Sequence, residues 1–197
     1  MAIVLDGTNG LSDVDGSAST PAIRGTDANT GIFFPAADTI AFAEGGTEVM
    51  RIDSSGRVTT PFKPAFVAHA TGNSNYTSVA NNTAFPANAT NYNQGSCYNT
   101  SNYRFTAPVT GLYLFTFSSI HNNSSGDSRP HFFVNNSGSY NGIQHGINNR
   151  DASGSASNAT SSLIYLQAND YVFVASSSGS LYYYGAGHST FSGCLIG

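Results

Sequence analysis

The chain has 197 residues, of which 9% are charged, and a net charge of -4. Its length allows one full-sized domain plus a smaller appendage, and its abundance of Asn, Ser, Thr, Gly and Tyr favours strands and turns over long helices. Lys63 is the only lysine, and no Lys/Arg cluster occurs, so we expect neither nucleic acid nor membrane insertion. The sequence is polar again by residue 6, which is too early for the apolar run of a signal peptide.

The first 62 residues predict an N-terminal attachment or stalk segment. Residues 1 to about 30 alternate short apolar pieces with turn formers, a pattern typical of extended chain with little capacity to bury itself. Short strands are then predicted at 32–34, 39–44, 48–53 and 57–60, separated by tight turns. A meander this small is marginal alone, so we expect it to pack against copies of itself or against the next domain.

Residues 61–64 contain two prolines and predict an extended connector, which places the domain boundary between residues 62 and 63. Beyond it, β-type segments recur at 65–70, 97–105, 111–120, 131–135, 162–166, 171–175, 181–184 and 190–196. Short strands at this spacing indicate a jelly-roll sandwich over residues 63–197. The Gly-, Ser- and Asn-rich residues 148–161 are predicted to form a long surface loop.

The run from residue 98 to 117 resembles the signature of the globular head of the first complement component, a family that shares its jelly roll with tumour necrosis factor. The matching residues are Tyr98, Phe105, Gly111, Tyr113, Phe115 and Phe117. Asn93 also fits, whereas Ala87 stands where a Phe is expected, two residues after Phe85. Residues 163–172 and 190–196 look like later strands of the family, so the resemblance spans about residues 65–197. It implies a closed homotrimer.

The strand at 111–117 is apolar on both faces. One face carries Tyr113, Phe115 and Phe117, and the other carries Leu112, Leu114 and Thr116. Such a strand must be buried on both sides. The sandwich core covers one face, and a neighbouring subunit is the natural cover for the other, which is compatible with the implied trimer.

The N-terminal sequence AIRGTDANTGIFFPAADTIAF at 22–42, followed by GGTEVMRIDSSG at 45–56, resembles segments common in tail-fibre proteins of bacteriophages. The eukaryotic relatives of the second domain carry a secretion signal and a collagen stalk, and neither is expected here. The resemblance implies a virion protein that is assembled in the cytoplasm of a bacterial host.

Catalytic chemistry is not expected. Glycan-cleaving tail spikes use a pair of carboxylates, but beyond residue 62 the only acidic residues are Asp127, Asp151 and Asp170. For Asp170 a structural role in a turn is favoured over catalysis. A carboxylate pair assembled across subunits remains open.

No metal or cofactor is expected, because the five histidines show no metal-ligand spacing. A trimer axis that gathers three copies of one histidine is the alternative. Cys97 and Cys194 are predicted to be buried as small apolar side chains, with a disulfide between them as the alternative.

The triplet at 182–184 and Tyr140 have two interpretations. Tyrosines suit the recognition of sugars or proteins. The favoured interpretation for the triplet is a strand that alternates between inward core and outward trimer contact.

The leading hypothesis is a short trimeric tail fibre. Residues 1–60 would join other tail or capsid proteins, and the knob would bind a host-surface glycan or protein through the loops at 122–129 and 148–161. The candidate receptor-binding residues are Asn122, Asn123, Asp127, Arg129, Tyr140, Arg150 and Asp151. The alternatives are a trimeric capsid decoration protein and, less favoured, a polysaccharide depolymerase.

Overall fold

The computed structural model describes residues 4–7, 10–12, 14–72, 74–122, 129–138, 145–146 and 155–197. These residues form strands and turns but no helix, which confirms the all-β prediction. They therefore contain no helix that could cross a membrane. The chain divides into two compact units, residues 1–62 and 63–197.

The first unit is a set of short antiparallel strands. They are β1 (Val4–Asp6), β2 (Gly10–Ser12), β3 (Ile23–Arg24), β4 (Gly31–Phe33), β5 (Ile40–Glu44), β6 (Thr47–Ile52) and β7 (Val58–Thr59). β1 pairs with β2, and β3 to β7 form a five-stranded sheet in sequence order. The strands predicted between residues 32 and 60 are confirmed to within one residue at each end.

Local turn chemistry and a very small core hold this unit together. Gly45 and Gly46 join β5 to β6, and both have a positive φ, of 57° and 78°, as a two-residue hairpin turn requires. The buried apolar cluster consists of Phe33, Ala41 and Ala43. So small a core leaves the unit with little stability of its own.

The second unit is a sandwich of longer strands. They are β8 (Ala65–His69), β9 (Tyr76–Val79), β10 (Ala89–Gln94), β11 (Tyr98–Asn99), β12 (Arg104–Thr106), β13 (Gly111–Asn122), β14 (Pro130–Val134), β15 (His145–Gly146), β16 (Ser155–Leu166), β17 (Tyr171–Ser176), β18 (Leu181–Tyr184) and β19 (Thr190–Leu195). One sheet has the order β10-β8-β19-β13-β16 and the other β11-β12-β17-β14-β15, while β18 and β9 form a two-stranded ribbon. All the pairings are antiparallel, as in a jelly roll.

Aromatic rings fill the space between the layers. Phe66 of β8 stacks on Tyr98 with ring centroids 4.7 Å apart and meets Phe191 edge-on at 4.9 Å. Phe105 packs against Phe115 of β13 at 5.2 Å. Each such pair contributes about 0.5–1.5 kcal/mol beyond the burial of its area. The alternation predicted for β13 therefore directs one side of that strand into a dense aromatic core.

Two strand predictions are wrong in part. The loop predicted at 148–161 is a strand from residue 155 onward, because β16 pairs with β13 along its whole length, with Ser155 opposite Asn122. Ser, Asn and Thr suit an edge strand that faces water on one side, so their polarity did not signal a loop. Residues 148–154 lie outside the described residues. The single strand predicted at 97–105 is divided into β11 and β12 by a turn in which Tyr103 has a φ of 62°.

Candidate assembly interface and binding surfaces

One apolar surface of the second unit is left uncovered by the chain itself. It is the side of the sheet β10-β8-β19-β13-β16 that points away from the core, and we call it the outer face. Its apolar side chains are Val67, Tyr92, Leu112, Leu114, Leu163, Tyr165 and Cys194. The strand registers place these residues directly opposite one another, as with Leu112 and Tyr165, and directly opposed residues point to the same side.

Several apolar side chains of the outer face are about half exposed in the single chain. Leu163 is 54% exposed, Tyr165 53% and Tyr92 50%. A groove of about 220 Å³ runs between Tyr92, Val67 and Leu114. Contiguous apolar surface of this kind marks an interaction site.

The other part of the outer face is lined with hydroxyl groups. The Oγ1 atom of Thr116 and the Oγ atom of Ser192 are 2.6 Å apart, and Ser118 Oγ and Thr190 Oγ1 are 2.9 Å apart. His69 lies opposite Thr190, and its buried Nδ1 has no hydrogen-bond partner among the described residues. The outer face is thus mainly apolar towards one end of β13 and mainly polar towards the other, where Ile120 is the exposed apolar exception.

His131 and His145 both have local hydrogen-bond partners. His131 Nδ1 is 2.8 Å from the carbonyl oxygen of Arg129, and His145 Nδ1 is 2.6 Å from Ser162 Oγ. Burial lowers the pKa of His145. The described residues contain no group of three His, Cys, Asp or Glu side chains that could hold a metal ion.

Asp170 has the structural role that the sequence predicts. Its Oδ2 accepts a hydrogen bond of 2.8 Å from the backbone N–H of Gln167 and closes the turn before β17. Its Oδ1 accepts a hydrogen bond of 2.6 Å from the amide of Asn135, whose own oxygen accepts one from the backbone N–H of Tyr171. Asp170 therefore joins this turn to the end of β14.

The two cysteines are free thiols, so the alternative of a disulfide between them is wrong. Cys97 is buried as predicted, whereas Cys194 is only half-buried on the outer face. Burial raises the pKa of the Cys97 thiol to about 11.

Most of the predicted receptor-binding residues lie outside the described residues. These are Asn123, Asp127, Tyr140, Arg150 and Asp151. Asn122 is the last residue of β13. The backbone of Arg129 is tied to β17, because its N–H donates to Ser176 Oγ and its carbonyl accepts from the N–H of Ser177. All seven residues remain predictions.

The tyrosine triplet alternates as predicted. Leu181 is fully buried, and Tyr183 packs edge-on against Phe85 with the ring centroids 5.2 Å apart. Tyr182 and Tyr184 point to the other side of β18. The part of the favoured interpretation that places one side of this strand in the core is therefore confirmed.

A second, smaller aromatic cluster, which the sequence did not reveal, is buried against the sheet that contains β14 and β17. Phe133 stacks on Phe173 with centroids 5.3 Å apart, and the guanidinium carbon of Arg104 lies 4.3 Å from the ring centre of Tyr171. A cavity of about 580 Å³ beside Phe133 and Phe173 is lined by Asn and Ser side chains. Nothing in the spacing of these residues brings them together before the sheet is formed.

A family model that matches most of the second unit decides its family. The model of the C1q domain matches residues 65–196, which is almost the whole second unit. The chain belongs to the C1q domain family. Domains with this fold are typically trimeric, non-enzymatic modules that bind ligands. No curated protein matches the sequence significantly.

Solved structures agree with the C1q fold. The globular domain of zebrafish complement 1qA is 17% identical, with a TM-score of 0.51, over 68% of this chain and 98% of its own. Eiger TNF from S. frugiperda is 12% identical, with a TM-score of 0.51, over 68% of this chain and 93% of its own. Murine APRIL at pH 5.0 is 10% identical, with a TM-score of 0.50, over 68% of this chain and 99% of its own. At these identities the likeness is one of fold.

The residues of the family signature have clear structural roles in this C1q domain. The side chain of Asn93 makes the pair of hydrogen bonds that a neighbouring strand would make with the backbone of Tyr98. Its amide donates a hydrogen bond of 2.8 Å to the carbonyl of Tyr98, and its oxygen accepts one of 3.0 Å from the Tyr98 N–H. The Tyr98 hydroxyl donates to the carbonyl of Ala87. Ala87 stands where the family has a Phe, and Phe85 is itself fully buried in the core.

Proposed function

We propose that this protein is a trimeric adhesion protein of a bacteriophage particle, a short tail fibre whose C1q domain is the receptor-binding knob. Residues 1–62 join the knob to other proteins of the particle. The knob recognises a glycan or a protein on the host surface.

The outer face is the main support for the proposal that the protein forms a trimer. A single chain leaves Leu163, Tyr165 and Tyr92 about half exposed on one side of a sheet whose other side is a closed core. Each Å² of apolar surface that a neighbouring subunit removes from water contributes about 25 cal/mol. Three copies arranged around an axis cover such a face without leaving an open end.

The first unit supports attachment. Its buried cluster of Phe33, Ala41 and Ala43 is too small to stabilise an isolated domain. The first unit would therefore gain stability by packing against copies of itself or against a partner. It carries eight acidic and three basic residues, whereas residues 63–197 carry three acidic and four basic ones. The phage assignment rests on the resemblance of residues 22–56 to tail-fibre segments.

The oligomeric state tests the first half of the proposal. By light scattering after gel filtration, the protein should have three times the chain mass of 20.5 kDa. Tyr165→Arg places a charge in the outer face and should give monomers. Val109→Arg is the matched control, because Val109 is 46% exposed in a turn outside that sheet and should leave the trimer intact. A monomeric wild type, or a trimeric Tyr165→Arg, contradicts the assembly.

Location and competition test the second half. Immunogold labelling of the particle should mark the tail, and labelling over the whole capsid would instead support a decoration protein. The purified trimer should reduce adsorption of the phage to its host, because it occupies the receptor. Unchanged adsorption at saturating trimer contradicts a receptor-binding role.

A further inference from the structure

The β9–β18 ribbon presents aromatic side chains on the side that faces away from the core. Tyr184 lies directly opposite Tyr76, and Tyr182 lies opposite Ser78, so all four point to one side. His188 follows β18 and packs against the same group of rings. We call Tyr76, Tyr182, Tyr184 and His188 the tyrosine patch.

Three of the four rings of the tyrosine patch, those of Tyr76, Tyr184 and His188, pack against one another. Tyr184 meets Tyr76 edge-on at 4.8 Å and His188 edge-on at 5.1 Å. The Tyr184 hydroxyl donates a hydrogen bond of 2.7 Å to the carbonyl of Ser74. Ser189 Oγ accepts from the backbone N–H of Tyr184 and donates to its carbonyl. A ligand would therefore meet a preorganised surface and would not have to order these side chains on binding.

The tyrosine patch is exposed although its rings are packed together. Tyr76 is 42% exposed, and His188 is also exposed. The opposite side of the ribbon is occupied by the core, because Leu181 is fully buried and Tyr183 packs against Phe85. The ribbon thus covers the inward side of β13, and its tyrosine patch points away from the outer face.

The segments that form the patch contain no side chain with a permanent charge. Between Lys63 and Arg104, and from residue 171 to residue 197, the sequence has no Asp, Glu, Lys or Arg. The exposed polar neighbours on or just before the patch side of β9 are Ser74, Asn75 and Ser78. Among the described exposed residues of these segments, only the imidazole of His188 could pair with a phosphate or a carboxylate, so a charged ligand would lose hydration with little compensation.

Aromatic rings bordered by hydroxyl and amide groups match one ligand chemistry well. The C–H faces of a pyranose ring are apolar and pack on an aromatic face, while its hydroxyl groups exchange hydrogen bonds with Asn, Ser and Thr side chains. Tyrosine provides this contact area with little loss of conformational entropy. We propose that the tyrosine patch binds a neutral saccharide, with the Tyr76 ring as the stacking platform. The assignment of this site as the receptor contact of the knob rests on the proposed function.

Glycan arrays and titration calorimetry test the site. The probes are neutral polysaccharides and oligosaccharides of glucose, galactose, mannose and N-acetylglucosamine, with uronic-acid and sialylated glycans as charged comparisons. The wild-type trimer should bind neutral glycans, and its affinity should change little between low and high salt because no ion pair is involved. Binding to the charged glycans alone overturns the proposal.

Variants assign the binding to the patch. Tyr76→Ala should reduce affinity for the best neutral glycan at least about tenfold, as expected for a central aromatic contact. Tyr76→Phe should retain affinity to within about threefold, because the ring face and not the hydroxyl is the contact. Val109→Ala, with similar exposure outside the patch, is the control for general surface effects. Light scattering and circular dichroism verify that each variant is folded and trimeric.

The outcomes separate this site from the proposed function. Glycan binding that survives Tyr76→Ala places the contact elsewhere and overturns the proposal. A trimer that blocks adsorption but binds no neutral glycan overturns the site and leaves a tail fibre with another receptor. Glycan binding that depends on Tyr76 in a protein that does not affect adsorption supports the site and contradicts the tail-fibre role.

Discussion

Replacing Gly193 by alanine should destabilise the C1q domain. Gly193 of β19 lies directly opposite Phe115 of β13, and an added Cβ would lie 2.5 Å from Phe115 Cδ1 and 3.0 Å from the carbonyl oxygen of Leu114. Carbon atoms in ordinary contact are about 3.5–4.0 Å apart, so the ring must move by about 1 Å. Phe105 and Phe132 hold it from the other side, with centroids 5.2 and 6.0 Å from that of Phe115.

Overpacking of this kind costs about 1–3 kcal/mol. With a urea dependence of about 2 kcal/mol per M, the unfolding midpoint of Gly193→Ala should fall by about 0.5–1.5 M. The measurement is urea unfolding followed by circular dichroism at one protein concentration, since trimer dissociation makes the midpoint concentration-dependent. Gly197→Ala is the control, because a Cβ at Gly197 meets nothing within 4 Å.

A double-mutant cycle tests the stated cause. Phe115→Leu removes the ring that the new methyl group strikes, so Gly193→Ala should be less destabilising in that background, by at least about 0.5 kcal/mol. Two single effects that simply add would refute the clash. A Gly193→Ala protein that unfolds at the wild-type midpoint would also refute it.

Three further predictions concern polar groups near the ends of strands. Asn93→Ala removes both hydrogen bonds to Tyr98 and should lower the free energy of unfolding by about 1–3 kcal/mol; an unchanged urea midpoint contradicts this. Asp170→Ala leaves the amide of Asn135 without its acceptor and should cost a similar amount, whereas a loss below about 0.5 kcal/mol would mean that the turn is held by other contacts. The raised pKa of Cys97, about 11 against an ordinary 9.0, stabilises the fold below pH 9, and this stability is lost as the pH rises towards 11. Urea midpoints between pH 8 and 11 should therefore fall less steeply for Cys97→Ala than for the wild type, and parallel curves would contradict that assignment.

The sequence was most informative where hydrophobic alternation and turn chemistry agree. Tyr113 and Phe117 occupy the same side of β13 because side chains alternate with a period of two, and the Gly45-Gly46 turn follows from the positive φ that both residues need. These signals are local, so they could be recognised without knowledge of the fold. The resemblance of residues 98–117 then supplied the order of the strands.

Long-range pairing could not be predicted in the same way. The first half of β16 is polar, and it is a strand only because β13 provides partners from Asn122 onward. Tyr76 and Tyr184 are far apart in the chain and become neighbours only through the ribbon. His188 joins them through a turn in which Ala186 and Gly187 both have positive φ. No periodic pattern connects such residues before the fold exists.

The position of β8 has a mechanical consequence. The strand enters the C1q domain directly after the first unit, and it is hydrogen-bonded to β10 on one side and to β19 on the other. Its far end, at Ala70, accepts a hydrogen bond from Gly187, in the turn that leads to His188. β8 can therefore leave its sheet only if both hydrogen-bond ladders break. A force applied at Pro64 along the axis of β8 loads the hydrogen bonds of both ladders in shear, so that they share the force and do not open one after another.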